Sequence, residues 1–575
     1  RWVGDGLVVS IDRFGASAPG DEVARRLGFS PEELERRVRQ ALAERRPCPV
    51  HADVPSTLAG AVAGKHARLL SLHAFPRIGC RDASLWAKAA PREPGNSLGW
   101  LDLPARTRVQ LPALRALVAK LAANGVDTLH VIGLGPAALA PWALRHTCGN
   151  PSGRQLEVVD TLEPGRITTL LEGLSARRSA LLVIASANGG EDETLALLDL
   201  FWEPLARTLR DSAGSRVLAI GDHGSRLERV AMDRGFAGFL PHPSDTAPHF
   251  AAHGPAAMLA AAWLGLDVDR LLTTAERVLN LSPEHPAVEL ATLLAGVAEP
   301  GWGRLAWCPS HDLRPLGVWV EQLFAHATGK EGRGIVPIFP AQLPAPAAAW
   351  PHTLFLSPRF ADEAATALDA GLAALAAAGH PVVRWPLRRR DLGGALATLE
   401  MAAALTALLL GVNPFEEPPP NRRGRRASPQ SRQLGSTPAP ARWDTLRDFF
   451  AARQSMTSVV ILAYLPERFE VWQALAAVAS RVEHQAGVPV SFGFAPRATL
   501  ALGKLLTRGP AGVASLILTC DLADEVVIPG RSLALGALMD AQAREFAHSC
   551  AHGGRNLLHL HLGEDPLAAL NQLLM

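Results

Sequence analysis

The stretch Val318–Ile338, VWVEQLFAHATGKEGRGIVPI, carries His326 four residues before Lys330. Histidine titrates near neutrality and is a competent general base. Elsewhere Gly133 and Gly135 follow an apolar run, as do Ser186, Asn188, Gly189 and Gly190. Small residues at a strand–helix turn let backbone N–H groups and a serine hydroxyl approach an anion. His249 stands in a third segment, Ser244–Ala251. Four further histidines pair by spacing: His548 with His552 one turn apart on a helix, and His559 with His561 on one face of a strand. Four imidazoles are enough for a metal, but there is no HExxH, and the expectation is no metal site. Gly221–Ser225 looks like a nucleotide-type turn after a strand. Neither a GxSxG elbow nor a P-loop is present.

The stretch around His326 resembles the heart of the bacterial phosphoglucose isomerases that occur fused to transaldolase, where it reads close to WLEQLIAESTGKEGKGILPV. Trp319, Glu321, Gln322, Leu323, Thr328, Gly329, Lys330, Glu331, Gly332, Gly334 and Pro337 match. The resemblance puts His326 where that family has its proton-carrying glutamate. It makes Gly133–Pro141 the first phosphate turn, GxGGSSLxP, with Gly133, Gly135, Leu139 and Pro141 kept. Pro136 there removes a backbone donor, and Ala137 and Ala138 remove both hydroxyls. The second phosphate loop, SSKSGGTLET, becomes Ala185–Thr194, with Ser186, Gly189, Gly190, Glu193 and Thr194 kept. Its lysine has become Ala187 and its threonine Glu191, a like charge for a phosphate. In Ser244–Ala251, His249 replaces the arginine that stabilises the enediolate. Asn413-Pro414-Phe415 keeps a family turn, and the two histidines of HSTGQLHKGG correspond to Leu500 and Leu506.

Matches therefore fall at turns and packing positions, and losses fall at groups that touch substrate. The resemblance implies a catalytically degenerate sugar-phosphate module of carbohydrate metabolism with a binding, regulatory or assembly role. Its candidate catalytic residues are His326 and His249. Its candidate substrate-binding residues are Ser186, Asn188, Gly189, Gly190, Gly133, Gly135 and Lys330. One alternative is an active glucose-6-phosphate isomerase with His326 as base. Another is an inert passenger of an upstream enzyme. That enzyme is suggested by residues 1–46, whose Asp12, Phe14, Gly15, Ala16, Ser17, Ala18 and Pro19 resemble the C-terminal tail of transketolases. Beginning at Arg1, the chain reads as part of a longer polypeptide. No cofactor is expected within it, and thiamine diphosphate with a divalent metal would belong upstream.

The positioning elements follow from the patterning. The chain has 575 residues, 48% of them hydrophobic, with a net charge of +2, so nothing in its overall field calls for nucleic acid or membrane. The expected partners are a sugar phosphate or other small anion and further copies of the chain. Six scattered cysteines without CxxC point to a reduced cytoplasm. The apolar run Met401–Val412 is too short to span a bilayer and reads as a buried helix. Apolar strands such as Thr128–Ile132, Ala180–Ala185, Thr353–Leu356 and Ser458–Tyr464 alternate with amphipathic helices, which predicts parallel sheets covered on both faces. The expected fold is α/β, with two parallel-sheet sugar-isomerase subdomains of flavodoxin-like type. The expected layout is a tail at 1–46, a linker at 47–79, subdomains at 80–300 and 301–416, a flexible Pro/Arg/Ser-rich linker at 417–442, and a C-terminal α/β part at 443–575.

Overall fold

The structure, a computed structural model, describes residues 19–27, 29–35, 47–86, 97–176, 180–186, 192–364, 366–415, 438–453, 455–522 and 526–575. The transketolase-like motif up to Ala18, the loop residues Ala187–Glu191 and most of the Arg-rich segment lie outside these residues.

The chain folds as two units, Arg1–Cys48 and Pro49–Met575. In the first, a helix spans Gly20–Leu27, and the Ser30 Oγ accepts from the Glu33 N–H at 3.3 Å, the helix start its sequence predicts.

The second unit opens with strand β1 (His51–Asp53) and helix α1 (Ser56–Ser71). This corrects the expected linker at 47–79. Pro47, Pro49 and Pro55 lie outside the strand and before α1, Pro76 lies in the short helix Ala74–Gly79, and Leu58 and Val62 pack at Gly296 on a later helix. The first sheet contains β2 (Thr128–Ile132), β3 (Gln155–Val159), β4 (Ala180–Ala185), β5 (Val217–Gly221) and β6 (Gly238–Pro241). Helix α2 (Pro136–Cys148) follows β2, and α3 (Val268–Val278) and α4 (Pro286–Val297) follow the sheet. The second sheet has β7 (Trp302–Trp307), β8 (Gly334–Ile338), β9 (Thr353–Phe360) and β10 (Val382–Leu387), with β1 added antiparallel at its edge. It carries α5 (Gly317–Thr328) and α6 (Leu392–Leu410). The C-terminal part forms a third sheet: β11 (Ala439–Pro440), β12 (Ser458–Tyr464), β13 (Val490–Phe494), β14 (Val513–Thr519) and β15 (Leu557–His561), with α7 (Arg497–Arg508) and α8 (Leu535–His552).

The α/β fold with parallel sheets is thus as expected, but with three sheets rather than two. Every residue of β2, β4, β5, β12 and β14 is buried, which is what helices on both faces require. Apart from the edge strands β1, beside β10, and β11, beside β15, the strand orders are β3-β2-β4-β5-β6, β8-β7-β9-β10 and β13-β12-β14-β15. In each, the second strand lies outside the first and the order then reverses. The crevice outside the carboxyl ends of the strands at such a reversal is where open α/β sheets bind ligands. Helix α6 has the length and composition to cross a membrane, yet all its residues are buried, packed against α3, α4 and α5. Arg304 of β7, only 2% exposed, ties the second sheet to the third by donating to Ser458 Oγ at 3.2 Å and to the Thr457 carbonyl.

Candidate functional site

The reversal of the first sheet lies between β2 and β4, and the sequence turns meet there. Gly133 leaves β2 so close to β4 that a Cβ would stand 2.5 Å from the Ala185 carbonyl oxygen. Gly135 has φ 71° and caps α2. A cavity of about 30 Å³ lies beside them. Pro136, Ala137, Ala140, Ala185, Pro248 and Ala251 are among the residues lining it. Described residues of all three turns line it, and apart from Ser186 and His242 the lining is apolar. That volume is room for a water or two. Ser186 is buried at the rim, its N–H held by the Ile220 carbonyl at 3.0 Å. Asn188, Gly189, Gly190 and Glu191 lie outside the described residues.

His249 and His326 do not line this cavity; the histidine on its wall is His242. Instead the two rings meet each other, with centroids 5.3 Å apart. His249 is carried by the short turn Pro248–Phe250, and His326 by the last turn of α5. A carbonyl can only accept, so the tautomers follow from the partners. His249 donates from Nε2 to the Pro414 oxygen at 3.1 Å, and His326 from Nε2 to the Leu500 oxygen at 2.7 Å. Both Nδ1 lone pairs are buried without a hydrogen-bond partner among the described residues. Burial holds both imidazoles well below their ordinary pKa, and Lys504 and Lys330 push the same way. His249 is lowered further by His326 itself. Lys330 is buried and donates to the carbonyls of Asn413 at 2.5 Å and Pro414 at 3.0 Å, so it fastens the Asn413-Pro414 turn. Gln322, one turn before His326 on the same face, is 1% exposed. Its amide lies beside Gly135, with neither end hydrogen-bonded among the described residues.

A different face of α5 carries a constellation the motif comparison did not identify as one. Arg497, at the start of α7, lies 3.4 Å from Asp160, the buried residue after β3. Glu321 of α5 and Glu467 beyond β12 also act on Arg497. Burial pushes the Glu321 carboxyl up to about 8, against the pull of Arg497. Burial raises Glu467 too, against Arg497 and a hydrogen bond from Thr161. Glu163 accepts from the N–H groups of Gly165 and Arg166 and so starts the helix Pro164–Ala176. Glu321 is one of the residues that match around His326, whereas nothing in that comparison marks Arg497. Nothing in one dimension brings them together.

The remaining histidines have local roles. His548 and His552 pack ring to ring at 4.2 Å. The Thr519 hydroxyl lies 3.0 Å from His559 Nε2 and 3.2 Å from His561 Nδ1. The turn Gly221–Ser225 starts a helix: Ser225 accepts from the Glu228 N–H, and Glu228 reaches back to the Gly224 N–H, a capping box. No disulfide joins any of the described cysteines.

No family model matches the chain. The glucose-6-phosphate isomerase of Thermus thermophilus is 31% identical over 272 residues, 46% of this chain and 64% of that protein. That of Rubrobacter xylanophilus is 27% identical over 255 residues, 42% and 58% respectively. The chain thus spans about three-fifths of the length of these curated relatives. Among solved structures, the hypothetical protein TT0462 from Thermus thermophilus superposes with a TM-score of 0.54 at 23% identity, covering 65% of this chain and 98% of that one. The chain shares its fold with that protein. In sequence it is similar to glucose-6-phosphate isomerases over less than half of its own length.

Proposed function

We propose that this chain is a phosphoglucose-isomerase-like module that has lost isomerase chemistry and serves a binding, regulatory or assembly role in carbohydrate metabolism, in a reducing cytoplasm. The observation that carries this reading is the state of His326. The residue at the proton-carrier position is buried and donates its Nε2 hydrogen to a main-chain carbonyl. Its pKa is held well below the ordinary value by burial and two lysines. General-base efficiency falls as the base weakens, and the best base titrates near the working pH. The phosphate side supports this reading: Pro136 has no N–H, Ala137 and Ala138 have no hydroxyls, and alanines and prolines make up most of the cavity lining there.

Placement of the module after a transketolase is part of the same proposal and rests on the motif Asp12–Pro19 alone. Self-association and a small anionic ligand are proposed with it.

Calorimetric titration with glucose 6-phosphate, and separately with inorganic phosphate, tests the reading. The expected result is no binding tighter than about millimolar. Micromolar binding of glucose 6-phosphate, weakened by Gln322→Ala, would return the site to the isomerases.

A further inference from the structure

We propose that the contact between His249 and His326 is an acid-opened latch that holds the turn Pro248–Phe250 against α5 and α7. Each ring joins two segments. His249 reaches from the turn after the first sheet to Pro414 beyond α6, and His326 reaches from α5 to Leu500 on α7. The rings are 2% and 9% exposed and stand 5.3 Å apart between centroids. Both are neutral as drawn, because each Nδ1 is buried without an acceptor to receive a second hydrogen.

The surroundings oppose any added positive charge. The side chains that act on both rings are Lys330 and Lys504. Helix α5 packs on α2, α6, α7, β8 and the turns His311–Leu316 and Pro248–Phe250. The carboxylates on all these elements are Glu321, Asp312 and Glu400. Glu321 acts toward Arg497, and Asp312 pairs with Arg389 at 2.7 Å. Glu400 accepts from the Ala252 N–H at 3.0 Å and lies 3.6 Å from His253. A proton on one ring therefore puts a cation next to the other ring and two ammonium groups, in a dry site. Separation of the segments and entry of water relieve it.

The turn also holds an aromatic seam. Phe250, beside His249, packs at 5.1 Å on Trp100 and at 5.2 Å on Phe415, which in turn meets Trp86 at 5.2 Å. Opening the latch would hydrate this seam and the crevice beside it. This inference goes beyond the binding or assembly reading and does not depend on it.

The test is hydrogen exchange of the full chain at pH 7.5 and 5.5, with the double variant His249→Gln, His326→Gln in parallel. Glutamine keeps an Nε2 donor but cannot take a proton. In the native chain, protection factors, which correct for the slower intrinsic exchange in acid, should fall at least tenfold across Pro248–Phe250, Asn413–Phe415 and α7 at the lower pH, and in the variant they should not. Equal acid responses in both proteins would overturn the proposal. If the variant fails to fold, NMR titration of the native imidazoles decides. Both rings should stay neutral until they charge together with the opening. Separate titration near pH 6.5 without opening would overturn it.

Discussion

On one face of α5 the buried ionisable groups are imidazoles flanked by lysines; on another they are carboxylates gathered on one arginine. The two regions belong to the same helix and answer burial in opposite ways. His326 sheds its charge by staying deprotonated, and Glu321 by staying protonated. Each is the neutral form that a low dielectric favours. Of the two, the Arg497 region keeps an ion pair, half-buried Arg497 with buried Asp160. The arginine hub joins segments from all three sheets. On the function proposed above, the imidazole centre stands where the isomerases carry their reacting groups, without their chemistry.

The largest expected effect breaks the hub. Arg497→Ala leaves Asp160 buried without its ion-pair partner, which costs about 3–5 kcal/mol. Chemical denaturation measures this, and a loss below about 1 kcal/mol would make the hub incidental.

The next predictions sharpen the contrast through pH, where the two regions act on opposite limbs. In the unfolded chain each imidazole takes a proton below about pH 6.5, while the buried rings do not. The folded state then binds fewer protons, so stability falls on acidification by up to about 1.4 kcal/mol per pH unit for each ring. The loss begins near the unfolded pKa and ends when the folded rings protonate. For Glu321 the sign is reversed. The folded carboxyl holds its proton up to about pH 8, whereas an unfolded glutamate releases it near 4.5. Stability therefore declines as pH rises between these values. Glu321→Gln should flatten that limb and leave the acid limb unchanged, as urea midpoints from pH 4.5 to 9 would show. A variant with an unchanged upper limb would remove Glu321 as its cause.

Much of this fold could be read along the chain, for a physical reason. Runs such as Thr128–Ile132, Ala180–Ala185 and Ser458–Tyr464 are continuous apolar segments between helices, and the strands have these same bounds. Residues 47–79 contain Pro47, Pro49, Pro55 and Pro76, a content typical of a loose chain. Pro55 instead sits at the N-cap of α1 in extended geometry, where a proline costs nothing. The third sheet was visible as strands, but its arrangement as a separate sheet was not, because pairing is nonlocal. In the site, motif spacing placed His249 and His326 on different subdomains and the structure brings them together. Their mutual contact and bare Nδ1 atoms depend on carbonyls of Pro414 and Leu500, far away in sequence. The Arg497 hub was invisible for the same reason: its members come from four separate segments.

The smallest expected effect is a restoration that fails. His326→Glu returns the carboxylate found in the isomerases but leaves Pro136, Ala137 and Ala138 unchanged. A single general base contributes typically about 10²–10⁴-fold, which is of no use without a bound substrate. A coupled assay of this variant should show no gain over the native chain, and a clear gain would mean that the phosphate side is intact.

The most direct measurement is the same coupled assay, glucose 6-phosphate to fructose 6-phosphate, on the purified native chain. A weak, buried, carbonyl-tethered imidazole at the proton-carrier position predicts no turnover above a protein-free control. Turnover that is present in the native chain and abolished by His326→Ala would contradict the account.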